Sequence, residues 1–160
     1  MKKSFVTYLL LSSAIFVSCK NKESDAVPEA KLPQEPQTVT ASCYKAIYQK
    51  DTLDLQLNQA NNGTVSGDMV MAIENMPKKV GTLSGKFHGD TLFASYTFIQ
   101  GGYQKKTYKN PMAFLKRADT LILGNGQIQT TMGASYFVKG SPIDFDTVKY
   151  NFTAVDCKSE

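Results

Sequence analysis

Hydrophobic and polar residues alternate with a period of two along most of the chain beyond residue 42. The stretch Leu53-Asp54-Leu55-Gln56-Leu57 shows the alternation clearly, and similar stripes run through 65–73, 83–87, 92–98 and 148–154. A period of two places successive side chains on opposite faces of the backbone, as in a strand with one buried face. Because no helical spacing of apolar residues competes with this pattern, it predicts an all-β domain.

Turn signals separate these stripes at short intervals. They are Asn61-Asn62-Gly63, His88-Gly89-Asp90, Gly101-Gly102, Gly124-Asn125-Gly126 and Gly140-Ser141-Pro142. Gly and Asn accept the positive φ values that tight hairpins require. Short strands with turns about every 8 to 12 residues are typical of sandwiches and barrels. We therefore predict an antiparallel up-and-down meander of about eight to ten strands, forming a small lipocalin-like or avidin-like barrel.

A short motif recurs where strands are predicted to begin. Asp51-Thr52-Leu53, Asp90-Thr91-Leu92 and Asp119-Thr120-Leu121 are the same tripeptide, and Asp146-Thr147-Val148 is a near copy. An Asp side chain can accept hydrogen bonds from turn amides, and Thr suits a strand start. We interpret these aspartates as structural; a calcium-binding or catalytic role is the alternative.

The N-terminus has the three parts of a secretory signal. Lys2 and Lys3 form a basic start, an uncharged run of 13 residues follows from Phe5, and Ser18-Cys19 closes it. This run is shorter than the roughly 20 residues that cross a bilayer as a helix. Its end resembles the lipobox of bacterial lipoproteins, with Phe16 where Leu is usual. The resemblance implies cleavage before Cys19, a diacylglyceryl group on its sulfur and often a further, palmitate-type acyl chain on its amine. An ordinary signal peptide cut elsewhere is the alternative.

These features divide the chain into four parts. Residues 1–18 form the predicted signal peptide, 19–42 a lipidated flexible linker, 43–157 the barrel-like domain and 158–160 a C-terminal tail. The linker holds three of the six prolines and few large apolar residues. Such a composition cannot bury enough surface to offset the entropy lost on ordering.

Two cysteines remain once Cys19 is assigned to the lipid. Cys43 opens the predicted domain and Cys157 nearly ends the chain. An even pair in an exported protein predicts a disulfide, which here would join the first strand to the last. Two free thiols or a metal pair are the alternatives, although two cysteines and the single histidine, His88, fall short of the four clustered ligands of a zinc site.

Composition argues against two classes of function. Lys2 and Lys3 leave with the signal, so the mature chain keeps 16 of the 18 basic side chains against 14 acidic ones. This near-neutral balance gives no support to nucleic-acid binding, which needs a concentrated basic surface. The sequence also shows no nucleophile elbow, phosphate loop, metal-ligand spacing or acid pair, so we expect no enzymatic activity, no metal and no cofactor.

One basic segment stands out from this background. Residues 103–117 contain five positive charges and no acid, with aromatic residues between them. The five are possible anion-binding residues: Lys105, Lys106, Lys109, Lys116 and Arg117. A phosphate, an anionic glycan or a lipid headgroup are the candidate ligands. A solvated hairpin is the favoured interpretation, because runs of one charge commonly protect strand edges. Similarly, the aromatic side chains Tyr96, Phe98, Tyr136, Tyr150 and Phe152 either line a barrel mouth or, as we favour, fill the core.

The domain as a whole resembles a family of small uncharacterised Bacteroidota lipoproteins. The matching segments are Cys43-Tyr44, 89–98, Ala113-Phe114-Leu115-Lys116 and Val155-Asp156-Cys157. Family members often carry acidic residues before the Ala-Phe-Leu element, where this chain reads Lys105-Lys106-Thr107-Tyr108-Lys109. The resemblance implies the fold and a cell-envelope location, and brings no established activity. Residues 20–25 also resemble a charged tag that accompanies surface export in that phylum.

Together these observations predict a non-catalytic envelope lipoprotein, held by its lipid anchor in the outer membrane, with the membrane face left open. A barrel domain that binds a small or extended ligand, or a partner protein of the envelope, is the leading hypothesis. A structural or accessory subunit of an envelope complex without a small-molecule site is the alternative. An open apolar pocket in the barrel favours the first hypothesis, and an exposed apolar patch on a solid barrel favours the second.

Overall fold

The computed structural model describes residues 39–102, 104–132 and 134–157. The predicted signal peptide, Cys19, most of the predicted linker and the C-terminal tail lie outside these residues. Within them the strands are β1 (Val39–Tyr48), β2 (Asp51–Ala60), β3 (Thr64–Ala72), β4 (Lys79–His88), β5 (Thr91–Gln100), β6 (Tyr108–Arg117), β7 (Thr120–Leu123), β8 (Asn125–Gly126), β9 (Ile128–Thr131), β10 (Ala134–Phe137), β11 (Ile143–Asp144) and β12 (Asn151–Val155). The described part of the chain holds no helix long and apolar enough to cross a membrane.

Eight of these strands form a closed antiparallel barrel in the order β1-β12-β7-β6-β5-β4-β3-β2. From β1 to β7 each strand pairs with the next one along the chain, as expected for an up-and-down meander. Pairing of β1 with β12 closes the barrel and places Cys43 opposite Val155. The prediction of a small all-β barrel, closed between its first and last strands, is confirmed.

The first strand begins earlier than the sequence pattern indicates. The predicted linker extends to residue 42, whereas β1 starts at Val39 and pairs in register with β2 up to Ala60. Without residues 39–42, the last residues of β2 would have unpaired backbone donors and acceptors on the edge that now faces β1. The folded region therefore includes the last part of the stretch assigned to the linker.

The connections define two different ends of the barrel. The short turns 61–63, 89–90 and 118–119 lie at one end, together with the start of β1 and the end of β12; we call this end the base. The opposite end, which we call the mouth, carries the longer connections 73–78 and 101–107, and the segment 124–150 starts and finishes there. The short turn 49–50 between β1 and β2 also lies at the mouth, but all the long connections lie there too, which makes the mouth the end with room for a site.

Inward-facing side chains fill the barrel between base and mouth. The largest of those that are almost fully buried are Tyr96, Phe114, Phe152, Leu53, Met69, Leu83, Leu92, Leu121 and Val65. Phe114 and Phe152 meet edge to face, with ring centroids 5.8 Å apart. Each such side chain contributes about 1.5–3 kcal/mol relative to an exposed position, so the packed middle of the barrel is its main source of stability.

Two glycines of β4 allow it to approach β5 closely. A Cβ atom at Gly81 would lie 2.0 Å from the Thr97 carbonyl oxygen, and one at Gly85 would lie 2.2 Å from the Phe93 carbonyl oxygen. Gly81 stands directly opposite Phe98 in the register. Strand glycines of this kind permit the close approach and tight coiling that a small barrel requires.

Residues 124–150, which we call the outer segment, leave the barrel between β7 and β12. Within this segment β8 pairs with β11 and β9 pairs with β10, while β10 lies against β6 of the barrel. A Cβ atom at Gly124 would lie 2.5 Å from both Ile143 and Phe145, so these side chains pack directly over that glycine. Ala113 and Ile122 face away from the barrel interior and are nevertheless buried. The outer segment therefore forms a second layer beside β6 and β7.

One predicted strand start is wrong. The tripeptide pattern and the stripe from Val148 place a strand there, whereas β12 begins at Asn151. Asp146 instead accepts a hydrogen bond from Arg117, and the Tyr150 hydroxyl donates one to Asp51. The Leu123 backbone N–H donates to the Tyr150 carbonyl oxygen at 3.0 Å, so the chain meets β7 at Tyr150 and the residues before it belong to the outer segment.

Candidate binding site at the mouth of the barrel

A cavity of about 170 Å³ opens at the mouth. One wall comes from strands of the barrel and the other from the outer segment. The lining residues are Met71, Lys79, Tyr96, Phe98, Asn110, Pro111, Met112, Leu123, Gly124, Asn125, Gly126, Ile128 and Phe137. Most of these side chains are apolar, and few of them carry polar groups. We call this space the mouth cavity.

Three stacked aromatic rings run from the core to the mouth. The Tyr96 and Phe98 centroids are 4.8 Å apart with a 16° interplanar angle, and those of Phe98 and Tyr108 are 5.5 Å apart with a 21° angle. Tyr96 is 1% exposed and Tyr108 is 36% exposed. We call these three residues the aromatic ladder. The three rings form a flat apolar surface that extends from the buried core to the solvent-exposed mouth.

The ladder follows directly from strand geometry. Tyr96 and Phe98 are two residues apart on β5, so both face inward. Tyr108 lies opposite Phe98 in the pairing of β5 with β6 and shares its face. Of the five aromatic residues singled out in the sequence, Tyr96 and Phe98 line the cavity and Phe152 lies in the core. Tyr136 is partly exposed on β10, and Tyr150 contacts Asp51.

The lowest rung of the ladder is fixed by a hydrogen bond. The buried Tyr96 hydroxyl donates to the Met69 carbonyl oxygen at 2.9 Å. Burial raises the pKa of Tyr96 to about 12, because the phenolate form would be poorly solvated there. Tyr96 is therefore neutral at physiological pH, and its ring forms the fixed inner wall of the cavity.

The cavity contains one cationic side chain, Lys79, the first residue of β4. Lys79 lies opposite Met71 on one side and Gln100 on the other, and it is partly buried. Its ammonium nitrogen is 5.4 Å from the centroid of the Phe98 ring. The ion pairs among the described residues join Lys45 to Asp54, Lys50 to Glu74 and Arg117 to Asp146, and none involves Lys79. The charge at the mouth cavity is thus held over an aromatic face without a carboxylate partner in the described part of the chain.

Asp51 connects three parts of the chain around the mouth. Its Oδ1 accepts a hydrogen bond from the Glu74 backbone N–H at 2.8 Å, and its Oδ2 accepts one from the Tyr150 hydroxyl at 2.7 Å. The Glu74 amide, followed by the Tyr150 hydroxyl, lowers the pKa of Asp51. Burial, together with the Asp51 contact, raises the pKa of Tyr150 to about 12. This aspartate holds the outer segment to the connection between β3 and β4, as a structural residue would.

The structure does not bring the five predicted anion-binding residues together. Lys105, Lys106 and Lys109 lie at the mouth, while Lys116 and Arg117 lie near the base, at the other end of β6. Ten strand residues span about 30 Å, so a small anion cannot contact both groups. The Lys106 ammonium lies 5.0 Å from the Tyr108 ring centroid, and Arg117 is paired with Asp146 at 3.2 Å. Tyr103, the aromatic residue that opens this segment, lies outside the described residues.

The cysteine and histidine positions are also clear. Cys43 and Cys157 form a disulfide at the base, with α-carbons 5.1 Å apart, as predicted. His88 is the last residue of β4, at the base, and meets Phe93 edge to face at 6.0 Å. Across residues 39–102, 104–132 and 134–157, no three His, Cys, Asp or Glu side chains are grouped so that they could hold a metal ion.

Sequence reasoning missed the polar residues of the mouth cavity. Lys79 and Asn110 belong to no motif, and Asn125 was singled out only as part of the turn signal Gly124-Asn125-Gly126. A signal was available for the first of them, because Lys79 is separated by even intervals from Leu83 and Phe87 and so shares their inward face. No such rule reaches Asn125, whose position depends on how the outer segment packs.

This arrangement is chemically suited to hold a small molecule. Apolar walls favour an apolar group, the aromatic ladder favours a flat one, and Lys79 with two amide side chains can orient a polar end. No protein-family model, curated protein or solved structure matches this chain.

Proposed function

We propose that this protein is a non-catalytic cell-envelope lipoprotein that binds a small amphipathic ligand in the mouth cavity of its barrel. The observation that carries the proposal is a predominantly apolar cavity with a few convergent polar groups at the end of the barrel with the long connections. Small-molecule sites generally combine these two features, and the mouths of β-barrels are among their common locations.

The volume of the cavity limits the part of the ligand that can enter. Drug-sized ligands occupy about 300–1,000 Å³, whereas an apolar cavity of about 150 Å³ accepts a single benzene ring. At about 170 Å³, the mouth cavity fits one ring or a short alkyl chain. A larger ligand would insert such a group and leave the rest at the mouth.

Native mass spectrometry of the full mature protein, purified from its own membranes, tests this proposal with two matched variants. Ile128→Trp places a large ring at a residue that lines the cavity, whereas Met132→Trp places the same ring at the fully exposed tip of the β9–β10 hairpin. We expect a small bound mass in the native protein and in Met132→Trp, and its loss in Ile128→Trp. A bound mass that persists in Ile128→Trp contradicts a ligand in this cavity, and the absence of any bound mass contradicts the proposal.

The envelope location rests on the lipobox resemblance at Cys19, which lies outside the described residues. The fold shows at which end of the barrel a tether from that residue would arrive. The chain enters the barrel through β1 at the base, on the opposite side from the mouth cavity. A tether from a lipid at Cys19 would therefore reach the domain at its base, and the mouth cavity lies at the end of the barrel without the attachment.

A Cys19→Ala variant tests the anchor. We expect the variant to leave the membrane fraction while the barrel remains folded, because lipidated residue and barrel are separated by the predicted linker. Retention of Cys19→Ala in membranes washed with high salt contradicts the lipid anchor. Protease added to intact cells, and again after permeabilisation of the outer membrane, distinguishes the surface face from the periplasmic face.

One observation favours the alternative of an accessory subunit. Val70, Val80 and Ile99 lie side by side on the outer wall of β3, β4 and β5, and Val80 is 44% exposed. Exposed apolar patches are typical of protein contact surfaces. In the same mass-spectrometry experiment, a bound protein and no bound small molecule would support this alternative.

A further inference from the structure

We infer that the ligand of the mouth cavity is a small anion, with a carboxylate or similar acidic group bound by Lys79 and an apolar ring or chain lying along the aromatic ladder. This inference rests on the proposed function and specifies the class of ligand. It also assigns the charge recognition to a residue outside the basic segment 103–117.

The position of Lys79 supports an anionic partner. A lysine at an inward-facing position of a barrel strand loses part of its hydration, which carries a cost unless another group compensates. The Phe98 ring, 5.4 Å away, compensates part of that cost on one side of the ammonium group. The ammonium group has three donors, and a ligand carboxylate in the cavity would accept from those that the ring does not engage.

The surroundings of Lys79 oppose a cationic ligand and give a neutral one no electrostatic advantage. Among the described residues, the lining of the mouth cavity includes Lys79 and no Asp or Glu. Lys106, over the Tyr108 ring at 5.0 Å, adds a second positive charge beside the outermost rung of the ladder. The field at the entrance therefore favours negative charge.

The same geometry fixes how such a ligand would lie. Asn110 is opposite Tyr96 in the pairing of β5 with β6, and Lys79 lies over Phe98, the next rung toward the solvent. An acidic group held by Lys79 would leave the attached apolar part against the methionines that line the cavity, Met71 and Met112. These two methyl groups are therefore local reporters of binding.

The test compares two probes of nearly equal shape, phenylacetate and phenylacetamide, binding to the full mature chain. Methyl-labelled methionine NMR follows Met71 and Met112 in the cavity, with the fully exposed Met132 as an internal reference. We expect the anion to bind about tenfold more tightly than the amide, since hydrogen bonds between charged groups are roughly twice as strong as neutral ones.

Three variants assign that preference to Lys79. We expect Lys79→Gln to remove the difference in affinity between phenylacetate and phenylacetamide, and Lys79→Arg to keep it. Lys86→Gln removes the same charge from an outward-facing position on the same strand and should change neither affinity.

Each outcome of the titrations has one meaning. Equal binding of the two probes to the native chain overturns the inference and leaves the proposed binding function standing. A preference for the anion that survives in Lys79→Gln overturns the role of Lys79. If neither probe shifts the Met71 and Met112 methyl signals, the proposed function fails together with the inference.

Discussion

Tyr96 illustrates at the scale of one residue how the floor of the mouth cavity is held. Its hydroxyl is buried, yet it has a partner in the Met69 carbonyl oxygen at 2.9 Å. A buried hydroxyl without a partner would cost about 1–3 kcal/mol, so this contact permits a tyrosine at the boundary between core and cavity.

Replacing Tyr96 by Phe should lower the free energy of unfolding by about 1 kcal/mol, because the Met69 carbonyl loses a buried donor. Tyr136→Phe, at a hydroxyl on an exposed strand, should change it by less than about 0.5 kcal/mol. Urea unfolding followed by circular dichroism measures both. Equal effects of the two substitutions would show that the Tyr96 hydrogen bond contributes no net stability.

The raised pKa of Tyr96 gives a second signature at alkaline pH. An unfolded tyrosine ionises near pH 10, whereas burial raises the pKa of Tyr96 to about 12. Between these values the folded state retains a proton that the unfolded state has lost, so the stabilisation is complete below pH 10 and disappears as the pH rises toward 12. Stability should therefore decline less between pH 9 and pH 11.5 in Tyr96→Phe than in the native chain. Parallel declines in the two proteins would contradict the assignment.

Asp51 gives a complementary prediction at acidic pH. Hydrogen bonds from the Glu74 amide and the Tyr150 hydroxyl lower the pKa of Asp51 from its ordinary value of 3.8. Their stabilising effect is therefore complete above the unfolded pKa and is lost as the pH falls through the lower folded value. A double-mutant cycle of Asp51→Ala and Tyr150→Phe should show favourable coupling at pH 7 that disappears in strong acid. A coupling energy that is constant across this range would contradict the role of the carboxylate.

At the scale of secondary-structure elements, the strands that the sequence predicts best are those with one face in the barrel. β2 and β5 show a clean alternation because every second side chain enters the core. The outer segment gave no such signal, since its strands have only two to four residues each. The stripe that begins at Val148 keeps the correct parity into β12, yet the strand itself begins only at Asn151, after the Tyr150 hydroxyl has bonded Asp51 and the Tyr150 carbonyl has met Leu123 of β7. Periodicity reports which face is buried and cannot report which backbone pairs with which.

The candidate site was predictable only where it coincides with the core pattern. Tyr96 and Phe98 could be named from alternation along β5. Alternation could not show which cationic residues lie near the cavity. Residues 103–117 are rich in positive charge, but β6 runs the length of the barrel and places Lys109 and Lys116 at different ends. Lys79 was overlooked since a single lysine at the start of a strand looks like an ordinary solvent-facing residue.

The close contact between β4 and β5 gives a prediction at this scale. In Gly81→Ala the new methyl group would lie 2.0 Å from the Thr97 carbonyl oxygen, so the two strands must separate. We expect a loss of several kcal/mol, or failure to fold, as is typical for a clash with backbone. Gly102→Ala is the matched control, because nothing lies within 4 Å of a Cβ atom there. Thermal unfolding compares the two, and equal stability of both variants would contradict the crowding at Gly81.

At the scale of the whole molecule, the barrel is closed twice at the same seam. The hydrogen bonds between β1 and β12 close the sheet, and the disulfide between Cys43 and Cys157 joins the same two ends of the folded chain. The sequence predicted both closures correctly, because an even pair of cysteines at the limits of a meander has few other arrangements.

Removal of the disulfide measures how much the second closure contributes. Replacing Cys43 and Cys157 together by Ser should lower the free energy of unfolding by up to about 4 kcal/mol in the chain-entropy account, since the closed loop is long. Urea unfolding of the variant and of the native protein, each with and without reductant, provides the comparison. An unchanged unfolding midpoint in the variant would show that strand pairing alone closes the barrel.

The disulfide at the base also changes the covalent topology of the domain. With a sequence separation of 114 between the bonded cysteines, nearly every described residue belongs to a single covalent ring. A single protease cut at any turn within that ring opens it without dividing the molecule, so both resulting pieces migrate together until the disulfide is reduced. An exposed turn at the mouth can therefore be nicked without shedding any part of the barrel, whereas two cuts are needed to release a fragment.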